Sequence, residues 1–225
     1  MSGVLVTGTD TGVGKTFVAR ALTLALRGLG RRVSVMKPVE TGVTDQPEDA
    51  VALRDAAGDP APLDDVCPWR LRAPLAPSVA ARLEGTAVDL GRLEALVRRR
   101  LRDADVLLVE GAGGLLVPIV DSVTWADLAA RVGLPLLVVA ANRLGTVNHC
   151  ALTARVADQM GLTVLGIVLS QPVAEPDLSV ETNAATIASL TGVPVLAELP
   201  HATHPDVVAP LLRPLADTLL GSSRA

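Results

Sequence analysis

The sequence predicts an α/β fold, a mostly parallel sheet of about seven strands with helices on both faces. Three observations carry that expectation. Short aliphatic runs alternate with longer segments whose apolar residues fall at three-and-four spacing, and glycine stands just past several of those segments. The short runs are also continuously apolar rather than alternating, so both faces of each strand are covered, as a parallel sheet between helical layers requires. The chain has 225 residues, 49 % of them apolar, with no internal repeat and no Ser/Gly-rich linker, so a single domain over 1–225 is expected.

The strand runs lie at 4–7, 33–36, 106–109, 136–140, 164–169 and 195–199. Helical periodicity covers 16–29, 49–57, 90–102, 124–132, 146–160, 180–190 and 206–220, and Gly30, Gly58, Gly133, Gly161 and Gly192 punctuate the alternation. Between 59 and 77 the chain holds five prolines and little periodicity, which reads as an excursion from the sheet bordering a site. The charge run Arg98, Arg99, Arg100 and Arg102 reads as a solvated helix face.

Several function classes fall away on composition. A net charge of −4 argues against a surface built to hold nucleic acid or anionic lipid by charge alone, and Phe17, Trp69 and Trp125 are too few aromatics for a base-stacking platform. Cys67 and Cys150 form no CxxC or Cys/His cluster, so no disulfide framework or structural zinc is indicated, and a reducing cytoplasm fits. Cys150, Trp69 and Trp125 are assigned to packing or loop anchoring. The start of the sequence has no basic leader, and the longest apolar run falls far short of the ~20 residues of a membrane span, so a soluble, unprocessed chain is expected.

The sharpest signal is GTDTGVGKT at 8–16, directly after the first strand and opening the first helix. Unpaired backbone N–H groups and partial positive charge at a helix start allow such a turn to wrap a phosphate chain. Lys15 adds a full charge, and the Thr16 hydroxyl suits Mg²⁺, a hard cation that prefers oxygen. The strict phosphate-loop pattern puts its first glycine where this chain has Thr9, with Gly8 one place earlier. The strand 106–109 ends on Glu110 followed by Gly111, Ala112, Gly113 and Gly114, which resembles a Walker B strand with glutamate for aspartate. Glu110 and Asp49 are therefore read as metal contacts, with Asp45 and Glu48 as rivals to Asp49. Lys37, at the carboxyl end of the second strand, stands where ligands of open sheets gather; the plain alternative is a surface pair with Glu40.

Four segments in order, GTDTGVGKT (8–16), KPVETG (37–42), VEGAGGLLVP (109–118) and LGTVNH (144–149), closely resemble the dethiobiotin synthetase family over nearly the whole chain. The resemblance implies a phosphate-loop NTPase fold and an ATP- and Mg²⁺-dependent ligase, working as a homodimer. It joins CO₂ to diaminopelargonate and closes a cyclic urea, releasing ADP and phosphate. Carried over by position, Gly12, Val13, Gly14, Lys15, Thr16 and Phe17 hold phosphates, and Thr16, Asp49 and Glu110 hold the metal. Gly111, Ala112 and Gly113 complete the nucleotide site. Lys37 and Lys15 are catalytic, while Thr11 and Thr41 contact substrate. Gly145, Thr146, Val147 and Asn148 open a helix that receives the substrate carboxylate from the partner subunit, an end where an anion belongs.

The chemistry implied is capture of CO₂ by one amine as a carbamate, phosphorylation of the carbamate oxygen, and attack by the second amine. No protein nucleophile is needed; the cations gather negative charge and align the transfer. Many relatives read adenine with an Asn-containing turn, where this chain has Ser170 and Gln171, followed in the same pocket by Pro200, His201 and Ala202. Weaker selection of ATP over other triphosphates is expected. The main rival is a deviant phosphate-loop ATPase of the partitioning or positioning kind, whose signature lysine would stand where Asp10 does. A small-molecule kinase shares the loop but leaves VEGAGG and LGTVNH unexplained.

Overall fold

The structure, a computed structural model, describes residues 2–175 and 177–221. Along the chain run β1 (Ser2–Gly8), α1 (Lys15–Gly28), β2 (Val33–Met36), β3 (Val39–Thr41), α2 (Glu48–Ala57), α3 (Leu63–Val66), β4 (Trp69–Leu71), α4 (Pro77–Leu83) and α5 (Leu90–Asp103). They are followed by β5 (Val106–Gly114), β6 (Pro118–Val120), β7 (Val123–Thr124), α6 (Trp125–Val132), β8 (Leu136–Ala141), α7 (Thr146–Gln159), β9 (Val164–Ser170), α8 (Val180–Thr191) and β10 (Val195–Leu199). Last come α9 (Pro205–Val208), a 3-10 turn (Ala209–Leu212) and α10 (Arg213–Gly221).

The central sheet is parallel throughout, with strand order β10-β9-β8-β1-β5-β2. All residues of β8 and β2 are buried, as their continuous apolarity requires. α1 lays Val18, Leu22 and Leu26 on one face, where they join Val4, Val6, Val106 and Leu108 in a core cluster. Leu5, Leu107 and Val109, the alternate positions of the same strands, pack on the other face with Leu93 of α5 and Trp125 and Leu128 of α6. β1 and β5 lie side by side, so the loop after β1 and Glu110 on β5 come out at the same edge of the sheet.

Three expectations are corrected. Among the described residues the central sheet has six strands rather than about seven. Pro38 follows β2 without an N–H to donate, and the chain leaves the sheet so that β3 pairs in parallel with β4 instead. The proline-rich excursion thus carries α3, β4 and the start of α4. The helix expected over 206–220 is cut into α9, a 3-10 turn and α10, since Pro210 and Pro214 interrupt the backbone ladder. In the arginine run, Arg100 is buried and pairs with buried Asp59, so that position belongs to the interior. Among the described residues no helix is long and apolar enough to cross a membrane.

Candidate active site

A cavity of about 730 Å³ opens where β1, β2 and β5 end. Its walls come from the phosphate loop (Thr11, Gly12, Gly14, Lys15, Thr16, Phe17), from the segment after β2 (Lys37, Glu40, Thr41) and from Asp49 at the start of α2. Glu110, Ala112, Gly113 and Val117 form another side, and Pro74 to Pro77 the last, so the excursion does border the site.

Two glycines in the loop are forced by close approach. A Cβ at Gly8 would sit 2.7 Å from the Asp10 carbonyl and 2.8 Å from Lys15 Nζ, which explains glycine at this place in the variant pattern. Gly14 has φ +91°, and a Cβ there would meet Ser170 Oγ at 2.7 Å. Gly14 caps α1 with no side-chain bond, leaving the first amides of the helix open to an anion. Lys15 Nζ donates to the Asp10 carbonyl at 2.8 Å, folded back over its own loop. Burial, together with the neighbouring Lys37 ammonium, pulls Lys15 down to about 8 despite Glu110.

Lys37 is 4 % exposed. It reaches the Glu110 carboxylate and lies 3.1 Å from Asp49 Oδ2, so its pairing is with these acids and not with Glu40. Burial opposes its charge, but Glu110 and Asp49 outweigh that and hold the ammonium above the ordinary lysine value. Thr16 Oγ1 donates to Glu110 Oε1 at 2.8 Å. The second oxygen of Glu110, Oε2, is buried with no partner. Thr16, Glu110 and Asp49 thus converge as one hydroxyl and two carboxylates, a donor set that suits Mg²⁺, which uses few protein ligands and keeps several waters. Asp45 and Glu48 do not line the cavity.

Other candidates lie apart. Val13 is 2 % exposed and points into the core with Val18 and Leu22, so only its backbone is available to a phosphate. Gly111 is buried against Trp125, whose Nε1 donates to the Ala112 carbonyl at 2.9 Å; a Cβ at Gly111 would lie 3.2 Å from that ring. Ser170 borders the loop through Gly14. Gln171 N donates to the Leu199 carbonyl at 3.1 Å, and His201 Nδ1 lies 3.3 Å from the Gln171 carbonyl, which brings together the ends of β9 and β10. Gln171, Pro200, His201 and Ala202 stand outside the cavity walls. Gly145, Thr146, Val147 and Asn148 also lie outside it, at the start of α7, where Gly145 has φ +93° and no side chain caps the helix. Thr146 is buried, with Oγ1 3.8 Å from Cys150 Sγ. Glu40 lies within the KPVETG segment and lines the cavity, although the resemblance assigns it no role.

The chain is 50 % identical over 208 residues to the ATP-dependent dethiobiotin synthetase BioD of Anaeromyxobacter dehalogenans (strain 2CP-C), with 92 % of each chain covered. The chain belongs to the dethiobiotin synthetase family. A second member, ATP-dependent dethiobiotin synthetase BioD of Bacillus thuringiensis (strain Al Hakam), is 44 % identical over 89 % of this chain and 84 % of its own. A family model described as an AAA domain matches residues 2–208. Among solved structures, the MinC:MinD cell division complex of Aquifex aeolicus aligns with TM-score 0.63 at 13 % identity, covering 98 % of this chain and 96 % of that one. A ParA family ATPase from Chlorobium tepidum TLS aligns with TM-score 0.54 at 16 % identity, covering 98 % of both chains. These two share the fold alone. Identity at the level of the synthetases, with Asp10 in place of the switch ATPases' lysine, sets the partitioning reading aside.

Proposed function

We propose that the chain is an ATP-dependent dethiobiotin synthetase, a ligase that carboxylates diaminopelargonate with CO₂ and closes the ureido ring, releasing ADP and phosphate. The observation that carries the reading is the position of Lys37. It is a buried ammonium on the same cavity as Lys15, facing Glu110 within β5 and Asp49 at the start of α2.

Thr16, Asp49 and Glu110 would hold Mg²⁺, supported by the unpartnered Oε2 of Glu110. When bound, the metal supplies positive charge that offsets the triphosphate. The amides at the start of α1 take up the phosphates, and Lys15 leaves the Asp10 carbonyl for them. One substrate amine adds to CO₂ to give a carbamate, whose oxygen takes the γ-phosphoryl group. Lys37 holds these two anions in line against their mutual repulsion. The second amine then attacks the carbonyl carbon and expels phosphate, and the protein forms no covalent bond.

Thr11 and Thr41 offer hydroxyls to the substrate from the cavity wall. The open start of α7 is assigned to the substrate carboxylate across a homodimer, which fits its place away from the phosphate loop. The base lies beside Ser170, Gln171 and the Pro200–Ala202 segment. Two buried free thiols suit a cytoplasmic setting. Product analysis tests the reaction: dethiobiotin and ADP form together, and omitting ATP, divalent cation, bicarbonate or diamine abolishes both. ADP release that ignores diamine and bicarbonate would refute it.

A further inference from the structure

We infer that Glu40 is a positioning residue for the reaction: from β3 it fixes the first turn of α2, and with it the carboxylate of Asp49. The inference rests on Asp49 being a metal contact, as proposed above. α2 begins after Pro47, which gives no side-chain cap, so the first amides of the helix need an acceptor from elsewhere. Glu40 supplies it across nine residues. Its Oε1 accepts from Asp49 N at 3.1 Å and its Oε2 from Ala50 N at 2.9 Å.

The arrangement does more than close a helix. Glu40 is 8 % exposed and lines the cavity, and β3 is braced by its pairing with β4. Ala50 is fully buried, so the turn is anchored on its core side as well. The Asp49 side chain is 44 % exposed, and among the described residues Lys37, at 3.1 Å, is the one partner recorded for its carboxylate. When a cation and substrate draw on Lys37, the backbone bond from Asp49 to Glu40 is what keeps that carboxylate aimed into the cavity. Carboxylates that orient a metal ligand in this way commonly carry ~10- to 100-fold in metal affinity.

The test is direct Mn²⁺ binding, standing in for Mg²⁺, to the full chain with ADP present, read by electron paramagnetic resonance. Asp49→Asn and Glu40→Ala are each expected to weaken Mn²⁺ about 10-fold. The double variant should lie within about 2-fold of Asp49→Asn, because a residue acting through Asp49 has nothing left to position. Glu40→Gln keeps one acceptor oxygen and should fall between Glu40→Ala and the parent. In turnover assays Glu40→Ala should raise the half-saturating Mn²⁺ by a larger factor than it lowers kcat at saturation, a split that loss of helix stability alone does not produce. If Asp49→Asn weakens Mn²⁺ while Glu40→Ala does not, or if the double variant shows the product of the two single losses, the inference is overturned and Asp49 keeps its role. If Asp49→Asn leaves Mn²⁺ binding unchanged, the metal reading of Asp49 falls and this inference falls with it. Should Glu40→Ala fail to fold, Glu40→Gln in the parent and Asp49→Asn backgrounds gives the same comparison.

Discussion

At one end of β2 Lys37 meets Glu110, while along its outer edge Arg100 meets Asp59; both are buried acid–base pairs, and they differ in what the carboxylate still lacks. Asp59 is fully engaged: Oδ2 accepts from Val35 N at 3.1 Å and from Arg100, and Oδ1 accepts from Ala61 N at 3.1 Å. Together Asp59 and Arg100 cover the edge strand β2 where a further strand would pair, although Arg100 Nε itself has no partner. Glu110 is half engaged, its Oε1 taken by Thr16 and Lys37 and its Oε2 buried and bare. A carboxylate satisfied on both oxygens closes an edge. One left open on the cavity beside the phosphate loop suits a ligand, since a bare buried acceptor is otherwise a standing cost.

That contrast can be broken by substitution. Arg100→Ala leaves Asp59 buried and unpaired and should cost about 3–5 kcal/mol in urea unfolding, with kcat of the folded enzyme close to the parent's. Lys37→Ala should lower kcat by ~10²- to 10³-fold in an ADP-release assay; normal turnover would remove the distinction between the two pairs. Nucleotide competition tests a region outside the cavity walls, where β9 and β10 end. With Ser170 and Gln171 in place of an Asn-containing turn, GTP and CTP should compete within about 100-fold of ATP, and stronger exclusion would show that this turn reads the base.

The smallest effect concerns the start of α6. Thr124 and Asp127 form a reciprocal cap on α6, and Thr124→Ala should cost about 1 kcal/mol by thermal denaturation. Hydrogen bonds from the Thr124 backbone and hydroxyl hold the Asp127 carboxyl below the usual aspartate range. A carboxyl depressed on folding contributes stability above its unfolded value, near ~4, and that contribution is lost as pH falls through the lower folded value. Acid titration of unfolding should therefore show a smaller loss in Thr124→Ala than in the parent.

The sheet, its helices and the phosphate loop were legible because each is a local pattern: an apolar run, a three-and-four spacing, a glycine-rich turn before Lys15. Lys37 was legible as a strand-end charge and Glu110 as an acid closing an apolar run, although β5 continues past Glu110 to Gly114. What sequence alone could not give was pairing across distance. The burial of Arg100 depends on Asp59, 41 residues earlier, and an arginine run on a helix carries no mark of which member turns inward. A surface pair of Glu40 with Lys37 stood only as the alternative reading, and in the structure the Glu40 oxygens meet the amides of α2, because the departure of β3 from the sheet at Pro38 carries Glu40 toward that helix. Pro210 and Pro214 were visible, but strong apolar spacing at 206–220 masked the breaks they impose.

The most direct test of two ammonium groups serving transfer to a carbamate is the fate of an oxygen atom. Carbon dioxide labelled in oxygen is supplied with the diamine and ATP in unlabelled water, and the released phosphate is analysed by mass spectrometry before the label exchanges. One labelled oxygen in each phosphate, with the signal falling alongside turnover in Lys37→Ala, is the expected result. Phosphate free of label while dethiobiotin accumulates would contradict it.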